Sequence, residues 1–557
     1  MLHLGAIERL ERDTRRVAEI VGVLAKYGLA DWLKSIPLAA VRERLRSVEG
    51  QPINELATNE RFRLALTELG TTFIKLGQML STRPDVIGID LAEELSRLQS
   101  DTQPDEAAII RAILTEELGR PPEEVFGFFA DEAFASASIA QVHLARLPTG
   151  ENVVVKIQKA NIQTQVESDL SILAGLAELA EKHVEQLKPY EPVALVRQFR
   201  RTILRELDFH TERRNLEEFA RNFSDDPGIR FPRPWPEFSS RRVLTMERFE
   251  GVLGSETDGL KATGVDLGEF ARRGANMYLE MIFRDSFYHA DPHPGNLMLL
   301  PGGVIGVLDC GMAGRLDESL RDEIEALLLA VAQRDAEALT DAVFLIGAVP
   351  ANVAREQLRA DLADFVAEYT GQSINELDLA GALRSLADII RRHRISLPPG
   401  VSLLLRTLVV LEGTAQLLNP DFSLAEVIQP FYTRAVGRRL SPQRLWLRLQ
   451  RSYRDWDRLL QSLPRDLTET LQRLRSGRLT VHLDHRHLDP VVNRLVLGIL
   501  SASLFLGSSF LWSMKAPPLL FGVSVFGAAG YLMSVYLGWK LLRAVKHSGS
   551  VESRDDK

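Results

Sequence analysis

Polar and apolar positions follow three different periods along these 557 residues. Near the C-terminal end, Leu495–Met514 and Leu519–Trp539 carry no charge over 20 and 21 residues. At ~1.5 Å per residue, each run is long enough to cross a hydrocarbon core of ~30 Å. Lys515-Ala516-Pro517-Pro518 separates them, which predicts a two-helix transmembrane hairpin. Arg494 precedes the pair, and Lys540, Arg543 and Lys546 follow it, so the positive-inside rule puts both ends on the cytosolic side. Trp512 and Trp539 fall near span ends, as interfacial anchors do. Gly498, Ser501 and Gly507 in one run, with Gly522, Gly527 and Gly530 in the other, are small enough for close helix contact.

Upstream, the pattern is that of a folded body. Val17, Ile20, Val21 and Leu24 make a helical stripe that packs on that body, and Phe73, Leu76 and Leu80 make a second. Lys75 and Gln78, three apart, share a face of the second helix. Val153-Val154-Val155-Lys156-Ile157 reads as a buried β-branched strand with one lysine in it. Arg205–Asn215 reads as a charged helix offering Glu206, Asp208 and Glu212. Val243–Met246 reads as a further strand, and Leu297–Leu308 as an apolar hairpin turning at Pro301-Gly302-Gly303.

The chemistry concentrates at His289–Asn296, which reads HADPHPGN, and at Asp309-Cys310-Gly311 after the hairpin. Phosphoryl transfer needs an Asp near the attacking group, with an Asn and an Asp holding Mg²⁺ on the phosphates. Asp291 fits the first role, and Asn296 and Asp309 fit the other two. The five-residue step from Asp291 to Asn296 is that of a kinase catalytic loop. Lys156 lies 135 residues earlier, where a strand lysine should contact the phosphates of ATP. Such a lysine is held by a helix carboxylate; Glu206, Asp208 and Glu212 are the candidates. Before the lysine strand, Ala135-Ser136-Ala137-Ser138 stands where a protein kinase has a glycine-rich loop. Alanines stiffen that loop, so the phosphates should sit differently and a bulky protein substrate is disfavoured. The Ser136 hydroxyl is a further candidate phosphate contact. Met246–Gly251 reads as the hinge, with backbone at Glu247 and Phe249 available to adenine.

These residues together resemble the UbiB family of atypical kinases (the aarF-domain-containing kinases), which is linked to ubiquinone and other prenylquinone biosynthesis. The resemblance covers roughly residues 10–435. It rests on KxGQ at Lys75–Gln78, SxRPD at Ser81–Asp85, the Ala-rich loop at Ala135–Ser138, Lys156, ExD at Glu206–Asp208, the HxDPHPGN loop and Asp309. It implies an α+β, protein-kinase-like bilobal fold with an N-terminal helical extension. It implies that Lys156 pairs with Glu212 and that Lys75 reaches Glu206, which lays the KxGQ helix over the cleft. Lys75, Gln78, Glu206 and Asp208 thereby join the nucleotide site. ATP and Mg²⁺ are the implied cofactors, with ATPase rather than protein kinase activity. Cys310 replaces the usual Phe of this motif, so the aromatic that switches active and inactive states should be absent.

Charge changes the picture at one place. The chain is −8 overall, but between Arg434 and Pro490 there are 13 Arg, no Lys and 6 acidic residues, a net of +7. Trp446, Tyr453 and Trp456 are interleaved there. Nucleic acid would suit such a stretch; adjacency to two apolar spans favours anionic lipid headgroups instead. The single cysteine, Cys310, excludes an intramolecular disulfide and fits a reducing compartment. Met1–Arg16 is charged and lacks the apolar core of a signal peptide.

The expected organisation is a helical extension over 1–120, an N-lobe over 121–250 and a C-lobe over 251–435. A basic arm over 436–490, the hairpin over 491–545 and a disordered tail over 546–557 follow. Arg406, Glu412 and Gly413 read as structural. The expected location is a bacterial inner membrane, multi-pass, with the kinase-like domain cytosolic. Prenylquinone precursors and quinone-biosynthesis enzymes are the implied partners. The functional reading is a membrane-anchored ATPase of this class that makes lipid-soluble precursors accessible. A lipid or small-molecule kinase and a nucleotide-binding pseudokinase scaffold are the alternatives.

Overall fold

A computed structural model describes residues 14–29, 56–98, 102–184, 191–349, 353–370, 378–439, 488–520 and 523–546. The core of the basic arm and the tail lie outside the described residues. The chain forms two compact units, Met1–Leu445 and Trp446–Lys557.

The first unit begins with helices. These are α1 (Thr14–Lys26), α2 (Thr58–Leu69), α3 (Thr71–Ser81), α4 (Pro84–Ile87), α5 (Ile89–Ser96) and α6 (Ala107–Leu118). Val17, Ile20 and Val21 of α1 are buried in the main core, so that stripe packs on the body. On α3, Phe73, Ile74, Gly77 and Met79 are buried, with Leu76 and Leu80 partly so.

Strands β1 (Phe128–Ser136), β2 (Ala140–Arg146), β3 (Asn152–Gln158) and β5 (Val243–Glu247) follow. They form an antiparallel sheet in the order β1-β2-β3-β5. The period of two decides what β3 presents. Val153, Val155 and Ile157 are buried under the sheet against Ile110, Ile113 and Leu114 of α6. Lys156 therefore faces the other side. Each buried Val or Ile contributes on the order of 1.5–3 kcal/mol, which fixes the register that aims the lysine.

Three helices complete this lobe: α7 (Ile162–His183), α8 (Pro192–Glu206) and α9 (Phe209–Asn222). Here the expectation of one charged helix across Arg205–Asn215 is corrected. The helix breaks at Leu207, and Asp208 is the N-cap of α9, its carboxylate accepting from the His210 N–H at 3.1 Å. The buried Leu207 side chain and the cap favour a corner over a continuous helix.

The hinge proper is Arg248–Gly251, since Met246 and Glu247 lie on β5 opposite Val154 and Val153. Beyond it, β6 (Val252–Leu253), β8 (Leu297–Leu300) and β9 (Val304–Val307) join β4 (Ile229–Arg230) in a second sheet, ordered β4-β9-β8-β6. The β8–β9 turn has positive φ at Gly302 and Gly303, which glycine adopts without strain. Helix α10 (Leu267–Glu280) leads to β7 (Phe287–His289), which pairs with β10 (Ala313–Arg315). Six helices close the unit: α11 (Glu318–Ala332), α12 (Ala336–Ile346), α13 (Arg355–Thr370), α14 (Leu379–Arg392), α15 (Pro399–Leu418) and α16 (Leu424–Arg439). Glu412 on α15 is buried and accepts from the Ala380 N–H at 2.5 Å, capping the start of α14. That is the structural role expected of it.

In the second unit, α17 (Leu488–Ser513) and α18 (Val525–Lys546) pack as a hairpin. The second helix starts at Val525, not at Leu519 as expected. Leu519–Leu520 and Val523–Ser524 form a short antiparallel pair first, β11 and β12. The Ser501 hydroxyl donates to Ser534 O at 2.9 Å, and Gly530 lies against Ser508. Gly498 and Gly527 also meet the partner helix, whereas a Cβ on Gly507 would meet nothing within 4 Å. Gly507 is thus not part of the contact, and Gly522 lies outside the described residues. Leu506, Phe510, Leu532 and Leu542 point outward, 65–71 % exposed. Leu495–Ser513 and Val525–Arg543 are each long and apolar enough to cross a membrane. So is Pro399–Leu418 by length and composition, but half of it is buried in the first unit, where α15 is a core helix.

Candidate active site

Three charged side chains meet where the first sheet faces the second. The Lys156 ammonium donates to both Glu212 oxygens, at 2.8 and 2.9 Å, and to Asp309 Oδ2 at 3.2 Å. Strand β3 supplies the lysine, α9 the glutamate, and the turn after β9 the aspartate. Glu212 is on the first turn of α9, so the cap at Asp208 sets its position.

Burial penalises the Lys156 ammonium, but Asp309 and Glu212 outweigh it and raise its pKa. Burial pushes the Glu212 carboxyl up to about 7 against the pull of Lys156. Asp309 goes the other way. Burial would raise it, yet Lys156, the Gly311 N–H and His289 hold it well below the usual carboxylate range. Its Oδ1 accepts from Gly311 N at 2.8 Å. Its side chain is 51 % exposed, against 5 % for Glu212. Of the two carboxylates, only Asp309 is open to a ligand.

The catalytic-type loop is tied to Asp309 through His289. Its Nδ1 accepts from the Asp291 N–H at 3.2 Å, and its Nε2–H donates to Asp309 O. One buried imidazole thus fixes both aspartates. The Asn296 amide donates to Asp291 O and Oδ2 at 3.1 and 2.9 Å, which leaves Asn296 Oδ1 as an acceptor with no donor among the described residues. Asn296 Oδ1 and the Asp309 carboxylate are hard oxygen donors. Mg²⁺ takes one or two such groups and fills its other positions with phosphate and water, so these residues suit it. A Cβ on Gly254 would come within 2.6 Å of Pro294 O, so glycine is needed there to seat the loop.

The Ala-rich segment differs from the expected loop. Ala135 and Ser136 belong to β1, and only Ala137–Ile139 turn the chain. Thr71 at the start of α3 donates to Ser138 O at 3.0 Å, and Thr102 donates to Ala137 O at 2.7 Å. The Ser136 and Ser138 hydroxyls are buried without a partner among the described residues. Lys75 of α3 is paired with Glu206 at the end of α8. The Gln78 amide on the same helix donates to Leu98 O at 3.2 Å, toward the extension. At the hinge, Glu247 accepts from Arg230 at 2.6 Å, and Phe249 stacks under the same guanidinium, 5.1 Å from its ring centre.

Residues without an assigned role in the sequence also support the site. His289 is one; the H-x-D spacing in the loop was its signal. Asn215 donates to Cys310 O at 2.8 Å, holding the turn after Asp309. Tyr278, fully buried, meets the His289 ring edge-on at 5.9 Å.

A lysine strand, a helix glutamate and a loop-and-aspartate pair on a second lobe define a protein-kinase-like protein. The ABC1 atypical kinase-like domain matches residues 97–343, the UbiB helical domain residues 362–423, and the ABC1/UbiB kinase-like C-terminal domain residues 482–546. A relative from Pseudomonas fluorescens named "Probable protein kinase UbiB" is 33% identical over 82% of this chain and 87% of its own. One of the same name from Vibrio vulnificus is 32% identical over 83% and 86%. The chain belongs to the UbiB family of kinase-like proteins. A Clostridium pasteurianum protein, described only by its position beside hydrogenase 1, is 29% identical over 96% of this chain and 99% of its own. The solved Mycobacterium tuberculosis protein Rv3197 aligns with 67% of this chain and 94% of its own, at 23% identity and a TM-score of 0.43.

Proposed function

We propose that the protein is a membrane-anchored atypical kinase that binds Mg-ATP between its lobes and hydrolyses it in support of ubiquinone or other prenylquinone biosynthesis. The observation that carries this is Lys156 held between Glu212 and Asp309. A strand ammonium fixed by a helix carboxylate beside a half-exposed aspartate is the arrangement that holds nucleotide phosphates and their metal. Asn296 and Asp309 would hold Mg²⁺, and Asp291 would face the attacking group. The family membership and the relatives' names support the quinone link.

Water is the favoured acceptor. Helix α3 is fastened at both ends of the site, by Thr71 to Ser138 and by Lys75 to Glu206. That fastening restricts the docking of a bulky protein. The two apolar spans and the arginine-rich arm favour anionic headgroups and prenylquinone precursors as partners, and a bacterial inner membrane as the location. On this reading, ATP turnover makes precursors accessible to biosynthetic enzymes.

The test is the fate of labelled γ-phosphate when the detergent-purified protein is given Mg-ATP and a lipid extract. Label released as orthophosphate, and lost in Asp291→Asn, supports hydrolysis. Label transferred to a lipid assigns a lipid kinase instead. No turnover, with Asp291→Asn fully functional in cells, assigns a scaffold.

A further inference from the structure

Helix α15 runs beside the segment that carries Asp291. The Tyr288 hydroxyl donates to Gly400 O at 3.3 Å. Thr407 Oγ1 approaches Ala290 O at 3.4 Å, and Thr414 Oγ1 donates to Pro292 O at 2.9 Å. Positions 400, 407 and 414 recur every seven residues, two helical turns, so one face of α15 follows residues 288, 290 and 292. Asp291 lies between two of these contacts.

Arg406 is next to Thr407 on that helix. It is half-buried, and its guanidinium makes no hydrogen bond or ion pair among the described residues. Burial lowers its pKa, and the charged group that pulls it back is Asp291. An arginine in such a setting stays protonated and is normally paired. The Asp291 carboxylate is engaged with Asn296 instead. A cation is therefore held beside the catalytic-type loop with its donors unspent. A planar guanidinium fork matches phosphate with two parallel hydrogen bonds. Glu412, read from sequence as structural along with Arg406, caps α14; the Arg406 guanidinium makes no such bond among the described residues.

We propose that Arg406 is a phosphate-holding residue that takes up a phosphate group next to Asp291. It rests on the reading of this site as one for phosphoryl transfer. Two sources share that chemistry: the phosphoryl group leaving the nucleotide, and a phosphorylated lipid headgroup on the acceptor side.

The experiment is calorimetric titration of the full chain in detergent with inorganic phosphate in the presence of MgADP, and separately with geranyl monophosphate. Wild type, Arg406→Met and Arg406→Lys are compared. Arg406→Met should weaken at least one probe tenfold or more, Arg406→Lys should weaken it less, and MgADP affinity should change less than twofold. Loss for inorganic phosphate assigns the nucleotide's phosphoryl group; loss for geranyl monophosphate alone assigns a lipid headgroup. Equal binding of both probes by wild type and Arg406→Met overturns the proposal. If the Met variant does not fold, phosphate protection of wild-type Arg406 from phenylglyoxal, read by peptide mass spectrometry, decides. Slower modification by fivefold supports the proposal, and no protection overturns it. If MgADP fails to bind while phosphate binding still depends on Arg406, the nucleotide reading falls and this one stands.

Discussion

Replacing Asp309 by Asn removes one charge and almost no volume. Two effects follow, of different size. The first is on folding. At 3.2 Å from Lys156, two unit charges at an effective dielectric of ~20 attract by ~5 kcal/mol. Half of the Asp309 side chain is in solvent, which cuts the net contribution to about 1 kcal/mol. Lys156 also keeps Glu212, so no bare cation is left behind. Because Lys156 and the Gly311 N–H hold Asp309 below its ordinary range, its contribution is complete above the unfolded pKa of ~3.9. It is lost as pH falls through the folded value. The stability gap between wild type and variant should be flat from ~pH 8 to ~pH 9, above the titration of Glu212 at about 7, which Asp309 helps to raise, and close in acid. The second effect is on nucleotide. The Asp309→Asn variant would leave the metal no protein carboxylate, so MgADP affinity should fall at least a hundredfold, ~2.7 kcal/mol. Titration calorimetry at pH 7.5 measures this beside thermal unfolding. A variant that unfolds like wild type and binds MgADP within twofold of it would refute the metal assignment.

Lys75→Met should release α3 from α8, raising amide hydrogen exchange over residues 71–81 about tenfold; unchanged exchange would mean the Lys75–Glu206 pair does not fasten the helix. His143 is fully buried, donating to Ala130 O at 2.8 Å and accepting from Gln141 at 2.8 Å. Burial lowers its pKa, so wild-type stability should be full above ~pH 6.5 and drop as pH falls. His143→Gln should flatten that acid limb of the urea midpoint against pH, and an identical limb would contradict the account. Cys310 is fully buried, and burial pushes its thiol up. Iodoacetamide should therefore label it only on unfolding, and rapid native labelling would show that the turn after Asp309 opens.

The fold and the clustering of the site were legible where one local pattern determines one geometry. Val153–Ile157 announced a strand by its β-branched run, and alternation alone predicts that Lys156 faces away from Val153, Val155 and Ile157. The Pro301–Gly303 turn fixed the β8–β9 hairpin in the same way. What escaped depended on contacts between distant segments. Leu207 looked like any helical residue until its burial made a corner, with Asp208 as cap. Pro517 and Pro518 marked a turn, but nothing local placed the next helix start at Val525 rather than Leu519. Thr407 and Thr414 share a face of α15 by their seven-residue spacing, and that spacing does not say what the face meets. That the face meets Ala290 and Pro292 is set by the packing of α15, which no local pattern specifies. Gln78 shares a helix face with Lys75, and that its amide also reaches Leu98 O is set by the path of the chain after α5.

ATP turnover by the detergent-purified full chain, with and without liposomes containing anionic lipid, tests the central claim most directly. Asp309→Asn is measured in parallel. The account predicts phosphate release that rises with the liposomes and disappears in the variant. Turnover that is equal in wild type and Asp309→Asn, or absent from a wild-type protein that binds the nucleotide, would contradict it.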